Sequence, residues 1–424
     1  MQANASPQRQ GVPLVLKFVV LLLALSAFIN YVDRGNLSIA APMLKDELGI
    51  SASQLGILLS AFFWTYACLQ LLSGWLVDRW KANWVLAGGF FLWSGATAAT
   101  GVVHTFAALM ILRLLVGMGE SVVYPSYSKI LVLNFDEQHR GFANAAISAG
   151  LVLGPGFGML FGGVLMARYG WRPFFIVLGL ASLLWLVPWI KWMPAGRRQV
   201  SEPTNVPRLS AFLRLRSAWG TAIGLFAVNY VNYFLITWLP YYLVRERHFS
   251  MDHMAKIGGG AYLLGACSAT LTGWISDRWI GAGATATLVR KLAVGGGLAM
   301  AGAFVGLAGI GSSVVALVLG VIFFGVASSS VWAISQTIAG PQAAGRWTGF
   351  QNFFGNFAGV VAPAVTGFIL DRTGQFYWAF AIVTAVAFTG TASFVFLVGR
   401  VEPVAWPPAA GFETTPVPIG KPER

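Results

Sequence analysis

Charged residues are scarce in this sequence. Asp, Glu, Lys and Arg make up 10% of its 424 residues, whereas about a quarter of a typical soluble protein is charged. Cysteine is scarcer still, and its two residues, Cys68 and Cys267, both lie in apolar stretches, which excludes a disulfide-stabilised scaffold. The glycine-rich run 150–158 lacks the Lys-Ser/Thr of a phosphate loop. The four histidines lack the spacing of metal ligands, so neither a metal nor a cofactor is predicted.

Apolar residues are abundant and recur in long runs. They make up 57% of the chain, and about 20 of them in succession are enough for a helix to cross a bilayer. Polar, Gly and Pro breaks between the runs predict twelve transmembrane helices and exclude a soluble protein with one large core. The predicted spans are 15–41, 53–77, 84–103, 106–131, 139–167, 172–194, 217–243, 254–276, 289–309, 312–337, 347–370 and 376–399.

The net charge of +13 sits mainly in the short loops between these runs. If the N-terminus and every second loop are cytoplasmic, that side carries 19 Lys and Arg residues and the other side carries seven. Cytoplasmic loops of membrane proteins carry such an excess. We therefore expect both termini in the cytoplasm and a lipid bilayer, not nucleic acid, as the partner of these cations.

The chain divides into two related halves. We predict a six-helix bundle at 1–195, a cytoplasmic linker at 196–216, a second six-helix bundle at 217–400 and a disordered cytoplasmic tail at 401–424. The segment 74–80 matches 273–279 at an offset of 199 residues, and the same offset aligns 30–32 with 229–231. Because six spans separate the matched segments, both halves insert in the same sense.

Four ionisable side chains lie well inside the predicted spans: Asp33, Arg34, Arg113 and Glu120. Asp33 and Arg34 point about 100° apart around their helix, whereas Arg113 and Glu120 share one face two turns apart. The simplest arrangement directs Arg113 and Glu120 towards Asp33 or Arg34. Charges inside a membrane are costly and usually functional. The alternative is a set of ion pairs that only fasten two helices together.

The chemistry of these groups predicts a division of roles. Burial disfavours the charged form of a carboxylate, so Asp33 and Glu120 are candidate proton carriers. The guanidinium of Arg34 stays charged and fits a carboxylate, which makes it the candidate ligand for an anionic substrate. Arg113 either does the same or modulates the carboxylates. Aromatic packing and interhelical hydrogen bonds compete with a cavity role for a further set of residues: Tyr31, Tyr66, Asn229, Asn232, Tyr233, Trp332, Gln336, Asn352 and Asn356.

The segment 74–79, repeated at 273–278, resembles the loop signature of the major facilitator superfamily. Segments 30–38, 113–120, 229–230, 237–240 and 349–356 resemble the anion:cation symporter family within it, which includes bacterial galactonate, glucarate and hexuronate proton symporters and animal sialin. The resemblance implies an all-α membrane protein with the major facilitator fold, twelve helices in two bundles of six. It also implies a monomer in the bacterial inner membrane that takes up a small sugar acid (a hexonate, hexarate or hexuronate) with a proton by alternating access, and not an enzyme.

The resemblance also assigns roles to residues. Asp33 and Glu120 correspond to protonation sites, Arg34 would meet the substrate carboxylate and Arg113 would tune the coupling. The residues expected to face the sugar hydroxyls are Tyr31, Tyr66, Ser329, Trp332 and Asn352. Those expected in the gating loops are Asp78, Arg79, Asp277 and Arg278.

The sequence also departs from that pattern. Leu151 replaces a glutamine of galactonate symporters, and the loop 80–83 lacks the usual glycine and basic pair. The glycines of the fifth span fit drug–proton antiporters except at Met159, which favours a second reading, a proton-coupled exporter of amphipathic compounds. A third hypothesis is an integral membrane enzyme or a receptor, but the sequence shows no catalytic nucleophile and no group of metal ligands that would support an enzyme.

Overall fold

The computed structural model describes residues 14–135, 137–193, 209–311, 313–404 and 406. Within these residues all regular structure is helical. Most of the predicted linker and tail, including 194–208 and 407–424, lies outside the described residues, so the predicted domain boundaries stay predictions.

The part before the linker is here called the N-half, and its described residues form nine α-helices and one π-helical turn, Gly158–Gly162. The α-helices are α1 (Leu14–Leu48), α2 (Ala52–Arg79), α3 (Ala82–Thr100), α4 (Phe106–Ser121), α5 (Val123–Asn134), α6 (Glu137–Phe157), α7 (Gly163–Tyr169), α8 (Trp171–Leu183) and α9 (Leu186–Trp192).

The C-half follows the short helix α10 (Leu209–Leu213) and contains π-helical turns at Leu292–Gly296 and Ser393–Leu397. Its α-helices are α11 (Arg216–Arg245), α12 (Met251–Gly281), α13 (Ala286–Lys291), α14 (Gly297–Gly311), α15 (Val314–Ser328), α16 (Val331–Thr373) and α17 (Tyr377–Ala392).

Ten helical segments of the described residues are long and apolar enough to cross a membrane. The other two predicted spans, 84–103 and 254–276, are the helices α3 and α12, whose glycine and polar residues lower their hydropathy. Some spans predicted as single helices are interrupted, at Val122 between α4 and α5 and at 184–185 between α8 and α9. Span 312–337 runs through α15 into α16, which bends at Gly340, where φ is +65°, a value that favours glycine.

The internal repeat is visible in the way the helices begin. The Ser51 side chain caps α2 by accepting a hydrogen bond from the Gln54 N–H, and the Ser250 side chain caps α12 in the same way through the His253 N–H. The two caps are 199 residues apart, the offset found in the sequence. A serine cap satisfies a helical N–H that has no partner within the helix, so the same local chemistry starts the second helix of each half.

The two halves meet tightly at one end of the molecule, the end that carries residues 49–51, here called the loop-50 end. There α2 packs along the part of α16 after the bend, α1 packs on α11, and α12 packs on α6 and α7. A Cβ on Gly56 would lie 2.5 Å from the carbonyl oxygen of Pro363, and one on Gly367 would lie 2.4 Å from that of Ala52. Both glycines are therefore required for the backbones to approach this closely.

Polar contacts reinforce the closure at the loop-50 end. The Arg245 guanidinium at the end of α11 forms an ion pair with Asp46 at the end of α1 and donates a hydrogen bond of 3.0 Å to the Pro42 carbonyl. The Asp371 carboxylate in α16 accepts hydrogen bonds from two backbone N–H groups at the start of α2. The halves are thus joined by charge as well as by close packing.

Candidate functional site

An ion pair between α1 and α4 forms the centre of the site. The Nε atom of Arg34 lies 2.9 Å from Oε2 of Glu120, and the exposed fractions of the two side chains are 9% and 0%. The sequence left open whether Glu120 would face Asp33 or Arg34, and the structure pairs it with Arg34. Asn30, one turn before Arg34, lies beside the same carboxylate.

Aromatic rings surround the Arg34 guanidinium. Its Cζ atom lies 4.7 Å from the ring centroid of Tyr31, 5.2 Å from that of Phe62 and 4.5 Å from that of Tyr66. Such cation–π contacts stabilise a cation that has lost its water. The Nη2 atom is buried without a hydrogen-bond partner, so the guanidinium retains an unused donor.

Asp33 faces a different direction from the same helix, as the 100° rotation requires. It is 2% exposed and accepts hydrogen bonds of 3.4 Å from the Asn36 amide and the Thr97 hydroxyl. At this length both bonds are weak. Thr97 escaped the sequence analysis because a lone threonine in an apolar span carries no distinguishing signal.

Arg113 completes the group of four charges. It is 5% exposed, lies within electrostatic range of Asp33 and Glu120, and its Cζ atom is 5.5 Å from the Phe62 ring centroid. Two carboxylates and two guanidinium groups therefore form one buried cluster of zero formal net charge when all four are ionised. Neutrality is what allows such a cluster to be buried, because an unpaired charge would be far more costly.

Two cavities lie between the halves next to this cluster. One, of about 450 Å³, is bounded by the second half of α2, by α5 and by the first turns after the bend in α16, so it lies towards the end opposite the loop-50 end. The other, of about 300 Å³, lies between α1 and α6 on one side and α11, α12, α15 and α16 on the other. None of the described residues that line either cavity is charged.

The hydroxyls of Tyr31 and Tyr124 meet at 3.0 Å. Tyr31 lines the smaller cavity and Tyr124 lines the larger one, so this pair lies where the two cavities adjoin. Because Tyr31 also covers Arg34, the charged cluster lies directly behind the pair. Tyr124 was not among the predicted site residues, because a lone tyrosine in an apolar span is more often a packing or interface residue.

The five residues expected to face sugar hydroxyls fall in different places. Tyr31 and Trp332 line the smaller cavity and Asn352 lines the larger one. Tyr66 is 2% exposed and lies behind them against Arg34. Ser329 donates to the Val326 carbonyl and is not among the lining residues of either cavity. Residues that line the smaller cavity also include its neighbour Ser328 and the substituted position Leu151.

The sequence left open whether Asn352 and Asn356 line a cavity or form interhelical hydrogen bonds, and the structure gives each residue a different role. Asn352 lines the larger cavity, whereas Asn356 is buried and joins helices. The Tyr233 hydroxyl donates to Asn356 Oδ1 at 2.9 Å, and Asn356 Nδ2 donates to Asn352 Oδ1 at 3.1 Å and to Gln70 Oε1 at 3.4 Å. Gln70, which the sequence analysis did not single out, thereby connects α2 to the C-half.

The predicted gating residues lie away from the charged cluster, at the end opposite the loop-50 end. Arg79, Asp277 and Arg278 are exposed in the last turns of α2 and α12, and the Arg278 guanidinium lies 3.9 Å from the Trp274 ring centroid. The side chain of Asp78 lies outside the part of the chain that the structure describes. A role in gating stays a prediction for all four.

Comparisons with known proteins agree on one family. A model described as Major Facilitator Superfamily matches residues 23–363. A hexuronate transporter of Bacillus subtilis is 30% identical over 416 residues, which cover 94% of this chain and 98% of that protein. A probable galactarate/D-glucarate transporter of the same organism is 28% identical over 91% of this chain and 92% of its own length. The crystal structure of a bacterial homologue of the human lysosomal transporter Spinster, inward-facing and occupied, superposes with a TM-score of 0.74 at 20% identity, over 92% of this chain and 96% of that one.

Proposed function

Since this chain belongs to the Major Facilitator Superfamily, we propose that it takes up a sugar acid together with a proton, by alternating access. It is a multi-pass membrane transporter of that superfamily and not an enzyme. The observation that carries the proposal is the buried ion pair of Arg34 and Glu120 behind two uncharged cavities. The relatives named for hexuronate and for galactarate or glucarate support a sugar acid as the substrate.

Proton coupling follows from competition for one guanidinium. When Glu120 is ionised, it occupies Nε of Arg34. Protonation of Glu120 leaves Arg34 with an uncompensated buried charge, which is strongly unfavourable unless another anion replaces the carboxylate. A substrate carboxylate would bind the freed Nε and the unpaired Nη2 as a two-point contact. Each event thus favours the other, which is the thermodynamic condition for coupling.

Asp33 and Arg113 act as the second pair of the cluster. A change in the charge of Glu120 alters the field at both guanidinium groups, and a change in the charge of Asp33 alters the field at Arg113 and at Glu120. Asp33 is therefore a second proton-binding group, and Arg113 adjusts how readily the carboxylates accept a proton. No further cofactor enters the mechanism.

The closed loop-50 end and the two cavities fit one state of an alternating-access cycle. The excess of Lys and Arg supports a cytoplasmic position for the opposite end, and in our proposal this state opens towards the cytoplasm in a bacterial inner membrane. Release of the substrate there would allow Glu120 to lose its proton and pair again with Arg34. Rocking of the halves then separates α2 from α16 at the loop-50 end.

Transport by the purified protein in liposomes tests the proposal. We expect concentrative uptake of labelled D-glucuronate when the outside is more acidic than the inside, and its loss when a protonophore removes the gradient. Glu120→Gln gives a side chain that stays neutral and leaves Arg34 available. This variant should lose concentrative uptake but still exchange labelled for unlabelled substrate in counterflow.

Glu47→Gln is the matched control. Glu47 also pairs with an arginine, Arg172, at 2.8 Å, but at the loop-50 end and within the N-half only. This control should retain gradient-driven uptake. Retention of proton-driven uptake in Glu120→Gln would contradict the assigned role of Glu120.

One observation favours the exporter as a second candidate function. Most of the residues that line the smaller cavity are apolar, among them Leu151, Leu225 and Val228. An exporter of amphipathic compounds would use the same carboxylates in exchange for protons. Efflux of a lipophilic dye driven by an inward proton gradient, with no uptake of any sugar acid, would favour this function.

A further inference from the structure

The two halves present opposite chemistry at equivalent positions of the repeat. At an offset of 199 residues, Asp33 and Arg34 of the N-half correspond to Asn232 and Tyr233 of the C-half. Asn232 lines the smaller cavity, and the Tyr233 hydroxyl is engaged with Asn356. The C-half therefore keeps hydrogen-bonding groups where the N-half has charges.

On the C-half side, the described lining of the smaller cavity is mainly apolar but includes five polar side chains without charge. Asn229, Asn232, Tyr262, Ser328 and Trp332 all line it. The Tyr262 hydroxyl is buried there without a hydrogen-bond partner, and a buried hydroxyl without a partner is unfavourable unless a ligand supplies one. These amide, hydroxyl and indole groups match the hydroxyls of a polyol.

A second carboxylate on the substrate would meet no cation in this region. The guanidinium groups of Arg34 and Arg113, which are buried, lie in the N-half near the Phe62 ring. Among the described residues, none that lines either cavity carries a positive charge. An anion buried without a partner is strongly disfavoured, whereas a neutral hydroxylated end finds donors and acceptors.

We propose that this transporter selects acids with one carboxylate and a neutral hydroxylated end, hexonates and hexuronates, and excludes hexarates. The carboxylate binds Arg34, and the hydroxylated end binds Tyr262, Asn229 and Asn232 of the C-half. The inference rests on the proposed function and narrows its substrate class. It separates this chain from the relative named for galactarate and glucarate, which are dicarboxylates.

Binding of acids with the same six-carbon chain tests the selectivity. Dissociation constants of D-gluconate, D-glucuronate, D-glucarate and galactarate are measured by calorimetry on the full chain in detergent, at one mildly acidic pH. We expect gluconate and glucuronate to bind at least about tenfold more tightly than the two hexarates, because the second carboxylate remains unpaired.

Two variants test which side chains of the smaller cavity distinguish between the acids. Tyr262→Phe should weaken gluconate binding by about 2- to 10-fold, the range of a single hydrogen bond, whereas Tyr377→Phe, at an exposed position of α17, should leave it unchanged. Asn232→Lys adds a cation to the cavity and should improve glucarate binding relative to gluconate. If Asn232→Lys does not fold, the ranking of the four acids by the wild type still tests the selectivity, and Tyr262→Phe still tests the contact with the hydroxylated end.

The outcomes separate the two proposals. Equal or tighter binding of glucarate than of gluconate by the wild type would overturn the selectivity and leave sugar-acid transport intact. Unchanged gluconate binding in Tyr262→Phe would remove Tyr262 from the site. Failure of all four acids to bind, together with no uptake of D-glucuronate in liposomes, would refute the proposed function itself.

Discussion

The Asp371 carboxylate accepts a hydrogen bond of 2.8 Å from the backbone N–H of Ala52, across the boundary between the two halves. Its second oxygen accepts one of 2.7 Å from the Ser53 N–H. An anion at the N-terminus of a helix satisfies free N–H groups and interacts favourably with the helix dipole. The last turns of α16 therefore cap α2 from the other half, and the contact exists only while the loop-50 end is closed.

Asp371→Asn should weaken this closure, because the amide loses the negative charge and one of two acceptors. The expected loss is about 0.5–2 kcal/mol, as for other helix caps. Spin labels on cysteines that replace His104 and Gln375, in a background without Cys68 and Cys267, would report the distance across the loop-50 end. The variant should show a larger population of long distances.

Asp252→Asn is the control for this change. Asp252 lies in the first turn of α12, is 43% exposed and forms an ion pair with Lys256 of its own helix. Its substitution should leave the distance distribution unchanged. An unaltered distribution in Asp371→Asn would mean that packing alone holds the end closed.

Gly56→Ala should prevent the closed state by sterics. The added Cβ would overlap the Pro363 carbonyl, a backbone atom that does not move aside easily. We expect transport to fall while substrate still binds from the loop-50 side. Gly88→Ala, at an exposed position of α3, has no atom within 4 Å of its added Cβ and should transport normally. Normal transport by Gly56→Ala would contradict the role of this contact in the cycle.

Arg34→Lys should weaken substrate binding even though the charge is kept. An ammonium group is a compact point charge, whereas the guanidinium offers the carboxylate two parallel hydrogen bonds. We expect a rise of about tenfold in the dissociation constant for D-gluconate, which corresponds to about 1.4 kcal/mol. Arg172→Lys, in the pair with Glu47, is the control. Equal affinities in wild type and Arg34→Lys would argue against direct contact.

Removal of one charge from the cluster should destabilise the fold more than removal of two opposite charges. Arg113→Gln leaves a net negative charge in the buried cluster and should cost about 3–5 kcal/mol, as expected for a broken buried pair. Adding Asp33→Asn restores neutrality and should recover most of that loss. Thermal unfolding in detergent measures the stability of the single and of the double variant.

The exposed pair of Asp252 and Lys256 provides the comparison for that experiment. Its single and double substitutions should each change stability by about 0–1 kcal/mol, as for surface ion pairs. If Arg113→Gln and the double variant are equally destabilised, the four buried groups do not act as one neutral unit.

The sequence predicted local chemistry well where one pattern was sufficient. The offset of 199 residues, found from other segments, also relates the serine caps at which two helices begin, because capping depends only on a few neighbouring residues. It did not reveal the breaks at Val122 and 184–185. Apolar length looks the same in a continuous helix and in an interrupted one.

The residues of the candidate site were only partly predictable. Charges stand out against an apolar background, so Asp33, Arg34, Arg113 and Glu120 were found without coordinates. Tyr262 and Thr97 were not, because tyrosine and threonine also occur in membrane helices for packing. Their importance lies in which cavity or carboxylate they reach, and that depends on helices distant in sequence.

The sequence by itself determined the class of the protein, the number of predicted spans, the internal repeat and the inventory of buried charge. These follow from composition and from the spacing of residues along the chain, which can be read from the sequence without knowing how the helices pack. The tertiary structure decided that Glu120 meets Arg34, that the loop-50 end is closed and that no described C-half residue lining the cavities is charged. The rotation of each helix about its axis and its approach to distant helices are set by packing of the whole molecule, so no local pattern encodes them.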